Sequence, residues 1–317
     1  MIFRHAKAAV NSRLAKLKRE IGERLDLRAR VDRLESELRE QRATLEAAIR
    51  ALRGRDFVLE RFLTASSAAR PPGASRAVAA LGVPAASIVL PTYNRAAYVG
   101  EAIDSVRAQV FADWELIVVD DGSEDDTAAV VARYRADPRI RYLRQPRGGC
   151  GAARNRGLAE TRAPLVAYID SDNLWYPEYL ACAVDYLATH PEVDLVYGAL
   201  VTELHGLETS HLFWRPFDRA ALVAGNFIDT NVIVHRRALL AKYGDWDPRL
   251  HRLGDWDLAL RFTADKPAQP LAVLATRYRS CDAIRVSEVD PMDPEMAIMR
   301  EKLKLDVGRA GAERPRR

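Results

Sequence analysis

The stretch that most limits what this chain can become is Leu165 to Trp175, LVAYIDSDNLW. Pro164 bounds it on one side, five strand-forming apolar residues follow, and the run empties into Asp170, Ser171 and Asp172. An apolar run of that length, closed by an acidic turn, reads as a strand buried on both faces, the habit of parallel sheets. Both carboxylates then stand at the strand's carboxyl end, the edge where open α/β sheets bind ligands. Asp-x-Asp at such an edge suits a hard divalent cation that also takes oxygens from a diphosphate. The competing reading is a polar turn in which Asp170 caps the next helix.

The residues upstream repeat the pattern. From Ser87, Ile88–Leu90 make a short strand, Pro91-Thr92-Tyr93-Asn94-Arg95 a loop and 97–109 a helix. A second apolar strand, Trp114–Val119, ends in Asp120-Asp121-Gly122-Ser123, followed by a helix over 127–136 and a strand over 140–143. Strands alternating with helices of this length indicate βαβ units and a parallel sheet, with both acidic motifs on its ligand-binding edge. A dinucleotide fold is the obvious competitor, but the loop after the first strand carries no glycine fingerprint. Gly148, Gly149 and Gly151 come later and open a helix with Arg154 in its first residues. That is either a place for phosphate oxygens or a surface loop with solvated arginines.

Charge separates the N-terminus from the rest. The formal net charge is +4 over 317 residues, yet residues 1–62 carry 16 Lys and Arg against 10 Asp and Glu, so the remainder is slightly acidic. The first 19 residues hold six basic side chains and no acidic one, on a helix whose apolar face runs Ile2, Phe3, Ala6, Val10, Leu14, Leu17 and Ile21. Such a helix suits an anionic surface better than a nucleic acid. From Leu27 the apolar step alternates between four and three through Val31, Leu34, Leu38, Gln41, Leu45, Ala48 and Leu52, a short coiled-coil seam. This segment is either an oligomerisation stalk or membrane-surface anchor, or a helix packed on its own catalytic domain. Residues 63–86, with Pro71, Pro72 and Gly73 and no periodicity, read as a linker. Three scattered cysteines, Cys150, Cys182 and Cys281, make neither a disulfide framework nor a zinc site and point to a reducing compartment. No secretory signal or membrane-spanning run is visible, which leads us to expect a cytoplasmic protein with peripheral contact at the inner membrane face.

PTYNR at 91–95, VVDDGSEDDT at 118–127, ARNRGL at 153–158 and DSDNLWYP at 170–177 together resemble, in order and spacing, the family 2 glycosyltransferases of the GT-A fold. The similarity continues through NFIDTNVIVHRRAL at 226–239 and LGDWDLALRF at 253–262, and so covers residues 87–290, leaving a helix and basic tail at 291–317. The resemblance implies a Rossmann-like, mostly parallel sheet with flanking helices. It also implies inverting transfer of a sugar from a nucleotide diphosphate, a UDP-sugar first among them, to a hydroxyl of a glycan or lipid-linked saccharide. Carried over by motif, Thr92 and Tyr93 would line the nucleoside pocket and Asp120 would accept from the base. Arg154 would lie near the phosphates. Asp170 and Asp172, with Ser171 between them, would form the site for Mn²⁺ or Mg²⁺, with Asp172 bridging it to the diphosphate. Asp255, opening the DWD at 255–257, would be the general base; without the resemblance it reads as a helix N-cap.

Two positions depart from the family pattern. Gly254 stands where Glu commonly precedes the base, and Cys281 stands where many relatives have a His able to ligate the metal, so Cys281 or Asp282 would substitute, or a water would. Asp229 and the residues to His235 fall where relatives build the acceptor pocket, His235 reading as structural, while Trp175, Trp214 and Trp246 are either core residues or sugar-stacking surfaces. Two rival readings are a sugar-nucleotide pyrophosphorylase-like enzyme, whose glycine-rich, lysine-containing loop is absent, and a degenerate scaffold subunit, against which the retained aspartates argue.

Overall fold

The axis of the fold is strand β1, Ala86–Thr92, all seven of whose residues are buried. It lies between β2, Trp114–Asp120, and β4, Leu165–Tyr168, and pairs in parallel with both. The computed structural model describes residues 82–203, 210–279 and 292–305. The expectations for residues 1–62, for most of the linker, for Cys281 and Asp282 and for the basic tail lie outside the described residues.

Beyond β2 comes β3, Ile140–Arg144, also parallel. On the other flank the direction changes. β8, Ile233–Arg236, runs antiparallel to β4; β6, Leu195–Glu203, runs antiparallel to β8 and pairs with the hairpin strand β7, Ser210–Phe213. Strand β9, Gln269–Arg279, is parallel to β6, and the two-residue β5, Leu174–Trp175, closes on β9 antiparallel. The nine-stranded sheet is ordered β3-β2-β1-β4-β8-β6-β9-β5, with β7 beside β6. The expected α/β sheet with flanking helices is present; it is parallel across its first four strands and mixed beyond them.

Helices cover the faces by burying stripes at helical spacing. α1, Val99–Arg107, buries Val99, Ala102, Ile103 and Val106, one side of two turns. After α2, Thr127–Ala132, comes α3, Cys150–Glu160, which lies on β1 and β2 through Gly157: a Cβ there would come within 2.5 Å of Val89 Cγ1. Only glycine allows that approach, which explains the glycine of the ARNRG run. α4, Tyr179–Thr189, buries Tyr179, Leu180, Ala183, Val184 and Leu187. The short α5, Arg219–Ala224, and α6, Ala238–Tyr243, precede α7, Gly254–Phe262, and α8, Met292–Leu303, is the final described helix. At the sheet's opposite edge the buried Glu115 accepts from Ser87 Oγ and the Arg162 backbone N–H, each at 2.7 Å, and from Arg162 Nε at 2.9 Å. That network ties the starts of β1 and β2 to the turn before β4. Among the described residues no helix is long and apolar enough to cross a membrane.

Candidate active site

The carboxyl ends of β1, β2 and β4 deliver their polar residues to one edge, as parallel pairing in register requires: Thr92 lies opposite Asp120. The Thr92 hydroxyl is buried and has no hydrogen-bond partner. A buried hydroxyl left unpaired costs stability, so a ligand group that bonds it at the strand end would be favoured. Beside it Tyr93 is half-buried, with the Arg147 guanidinium 3.8 Å from its ring centroid. Asp120 is fully buried and accepts from Ser123 N–H at 2.7 Å and Tyr142 O–H at 2.5 Å. Burial and that carboxylate together push the Tyr142 phenol well above its usual range. Two oxygens offer about four acceptor positions, so Asp120 retains capacity for a further donor. Asp121, which sequence reasoning assigned no role, accepts from Gln145 Nε2 and from the N–H groups of Gly148 and Gly149 at 2.7–2.8 Å. It shapes the turn that opens α3.

Asp170 is not a helix cap. Its Oδ1 accepts from Arg154 Nη2 at 2.7 Å and its Oδ2 from Asn231 Nδ2 at 3.0 Å, while its own N–H donates to Asn231 Oδ1 at 2.6 Å. Residue Glu178 takes the N-cap of α4. The following Ser171 is buried, and Asp172 Oδ2 lies 3.6 Å from Arg95 Nε, with its main-chain oxygen held by Arg279 Nε at 2.8 Å. Among the described residues no group of three or more His, Cys, Asp or Glu side chains gathers closely enough to hold a metal ion by itself. The donor set does suit a hard cation that arrives with a diphosphate, because Mg²⁺ and its like are commonly bound by one or two carboxylates with phosphate oxygens and water. Asp170, which accepts one donor on each oxygen and keeps acceptor capacity, and Asp172 are the two carboxylates suited to that task.

Asn231, also missed by sequence reasoning, is the hub of this region. It is fully buried in a 3₁₀ turn over Thr230–Val232, bonds Asp229 Oδ1 at 2.7 Å through its side chain, and accepts on its main-chain oxygen from Trp175 Nε1 and Thr276 Oγ1, each at 2.8 Å. One residue thus joins β4, β5, β9 and the wall that carries Asp229.

Asp255 sits in the first turn of α7, whose N-cap is Leu253, so the carboxylate is not the cap. Its Oδ1 accepts from the next amide, Trp256 N–H, at 2.7 Å. Burial first, then the charge of Asp229, raises its carboxyl to about 7. Asp229 is itself raised by burial and by Asp170. Asp229 and Asp255 therefore share the influence of one guanidinium, Arg154, and like charge around a partly buried carboxyl favours keeping its proton. Asp257, the neighbouring acid, is fully buried against Arg261 Nη2 at 2.8 Å and Lys302 Nζ at 2.9 Å and is structural.

The three tryptophans are not sugar-stacking surfaces. Trp175 and Trp214 are buried and donate their indole N–H to Asn231 and Leu271 carbonyls. Trp246 is buried under Arg154, whose guanidinium carbon lies 4.4 Å from its ring centroid, and its backbone is held on both sides by Asn155 of the ARNRG run. Its ring also borders Gly254: a Cβ there would approach Trp246 Cε3 to 3.3 Å, a tight contact that a larger residue meets only if the ring shifts by a few tenths of an ångström. His235 is fully buried between Tyr168 O–H and the Arg236 carbonyl, with burial pulling its pKa down to about 4, and is structural as expected.

Known proteins align with this arrangement. The profile described as "Glycosyl transferase family 2" matches residues 87–243. An uncharacterized glycosyltransferase of Rickettsia typhi is 30% identical over 56% of this chain and 58% of its own length, so the chain spans little more than half of that relative. A PGL/p-HBAD biosynthesis glycosyltransferase of Mycobacterium bovis is 29% identical over 62% of this chain and 75% of its own. Among solved structures, S. aureus TarS residues 1–349 in complex with UDP-GlcNAc superposes with a TM-score of 0.60 at 20% identity, covering 70% of this chain and 67% of that one. A mannosyltransferase of Pyrobaculum calidifontis in complex with GDP-Man and Mn²⁺ gives 0.51 at 22% identity, over 72% and 65%. With the motifs, the sheet and the profile in agreement, the chain belongs to glycosyl transferase family 2, with the GT-A fold.

Proposed function

We propose that this domain transfers a sugar, with inversion, from a nucleotide diphosphate to a hydroxyl of a saccharide or lipid-linked acceptor, with Asp255 as general base. The observation that carries the reading is the Asp255 carboxyl itself, half-buried at the start of α7 and poised near 7 beside Asp229. A base works best when its pKa lies near the working pH. Asp255 takes the proton of the acceptor hydroxyl, the hydroxyl oxygen attacks the anomeric carbon from the face opposite the diphosphate, and the bond from that carbon to the diphosphate oxygen breaks. Asp170 and Asp172 would hold a divalent cation, Mn²⁺ or Mg²⁺, which would supply Lewis-acid stabilisation to the leaving diphosphate. Arg154, buried behind Asp170, adds fixed positive charge on the same side.

At the nucleoside end, Thr92 offers its unpartnered hydroxyl, Tyr93 its ring and Asp120 an acceptor for an imide N–H. Asp120 favours a uridine or thymidine donor. The solved neighbours hold both UDP-GlcNAc and GDP-Man, so the fold is compatible with either base, and the assignment rests on Asp120. The Mycobacterium bovis relative, named a PGL/p-HBAD biosynthesis glycosyltransferase, supports a biosynthetic role for the transfer. The segment 1–62 we assign to association, on a membrane surface or with a second copy. A panel of UDP-, dTDP- and GDP-sugars, scored for divalent-dependent hydrolysis and thermal stabilisation, tests the donor reading. Stabilisation by UDP-sugars that Asp120→Ala abolishes is the expected result; equal stabilisation by GDP-mannose that survives the substitution overturns it.

A further inference from the structure

We infer that Glu295, on α8 and beyond the segment that matches the family profile, is a positioning residue that holds the turn carrying Asp255. The inference rests on the assignment of Asp255 as the base.

The chain entering α7 has a bonding problem to solve. Leu253 is the N-cap and has no side-chain oxygen to give, so the N–H groups leading into the helix lack partners from the helix itself. Glu295, only 5% exposed, supplies them from a distant element. Its Oε1 accepts from His251 N–H at 3.0 Å, and its Oε2 accepts from Arg252 N–H at 3.0 Å and Leu253 N–H at 2.9 Å. Three consecutive amides on one carboxylate are charge-assisted bonds of the stronger kind, and negative charge at a helix N-terminus is favoured by the helix dipole. Asp255 follows two residues later.

The same helix holds the far side of that turn. Lys302 Nζ reaches Asp257 Oδ2 at 2.9 Å and Asp247 Oδ2 at 3.2 Å, while Asp257 N–H returns to the Leu253 carbonyl at 2.9 Å. α8 therefore grips the chain immediately before and immediately after Asp255. Between these two grips the base has little freedom. Displacing a catalytic group by about 1 Å costs on the order of a hundredfold in rate.

Glu295→Gln separates positioning from folding. The amide keeps the shape but presents an NH₂ where one oxygen accepted, so at least one backbone N–H is left facing a donor. The expected result is a fall in turnover of about tenfold to a hundredfold, with donor KM and calorimetric donor affinity changed by less than about twofold, since the bonds of Glu295 go to the amides of residues 251–253 and not to Thr92 or Tyr93. Glu295→Asp, which keeps the charge but falls short of the three amides, gives a smaller loss and secures the test if the Gln variant folds poorly. Glu301→Gln, an exposed change on the same helix, leaves turnover unchanged.

A second readout needs no activity. Amide hydrogen exchange over residues 251–257 should accelerate about tenfold or more in Glu295→Gln, in keeping with loss of the bonds that close the turn, while β1 and β2 keep their protection. Unchanged exchange at 251–257, or turnover within twofold of wild type, overturns the positioning role. A wild-type chain that consumes no sugar nucleotide with any acceptor overturns the transferase reading instead, and the exchange measurement then still decides whether Glu295 holds the turn.

Discussion

Glu115, fully buried, and Asp255, partly buried, are carboxylates at opposite edges of one sheet, and their surroundings treat them in opposite ways. Glu115 meets Arg162 at 2.9 Å and Arg141 at 3.9 Å and takes backbone and hydroxyl donors besides, so each oxygen is engaged by cations or N–H and O–H groups. Asp255 has the amide of Trp256, and its charged neighbours include Asp229 and Asp170 as well as Arg154. Burial with compensation makes a clamp, whereas burial among like charges makes a group that releases its proton only near neutrality. The amino edge of the strands is thus spent on stability and the carboxyl edge on chemistry.

The widest gap between the two edges should appear on replacing Asp255 by Asn, which keeps size but cannot take a proton. Loss of a general base costs roughly 10²–10⁴-fold in turnover, about 3–5 kcal/mol of barrier, with donor affinity nearly unchanged. Asp172→Asn should differ in kind, weakening divalent-dependent donor binding together with rate. Steady-state kinetics and calorimetry on the two variants measure this. Asp255→Asn retaining more than about a tenth of wild-type turnover would remove it as the base.

Smaller, and opposite in kind, is the effect expected at the amino edge. Glu115→Ala leaves Ser87 Oγ without its acceptor and the Arg162 N–H with only its longer bond to Ser87 Oγ, at 3.2 Å. Orphaning buried donors costs about 1–3 kcal/mol; Arg162 is more than half exposed, so the ion pair itself adds little. Denaturant unfolding should register that loss, while turnover per folded molecule stays at the wild-type value. A rate loss without a stability loss would erase the distinction between the edges.

Which parts of this arrangement were legible in the residues follows the same division. β1, β2 and β4 announced themselves as apolar runs with acidic ends, because strands buried on both faces need apolar residues throughout and ligand-facing ends need polar ones. The second half of the sheet carries no such signature, since the direction of β6, β8 and β9 is a matter of pairing partners and not of composition. Trp175, Trp214 and Trp246 had two readings because an indole serves a core and a sugar face equally well, and burial alone decides. Gly254 was visible as a departure, but the ring it packs against, that of Trp246, lies far from it in any local pattern. Asn231 and Glu295 escaped notice for a related cause: their work is to bond main-chain groups far along the chain, which no local pattern encodes.

The finest test of the comparison is pH. Asp255 must be ionised to act, and its carboxyl is held up at about 7 by burial and Asp229. Turnover should therefore climb about tenfold per unit below that value and level off above it, gaining only about twofold between pH 7 and 8. Stability runs the other way. The ordinary value is 3.8, so between that and about 7 the folded chain keeps a proton that the unfolded chain releases. Folding is then favoured at the acid end of this window and loses that contribution as pH rises through it. Asp255→Asn carries no charge to bury; its melting temperature should exceed that of the wild type at pH 8 and approach it near pH 4. Glu115, already compensated, should give no such reward when replaced by Gln. If Asp255→Asn melts below the wild type at pH 8, the ionised carboxylate is a stabilising partner, and the carboxyl edge resembles the amino edge after all.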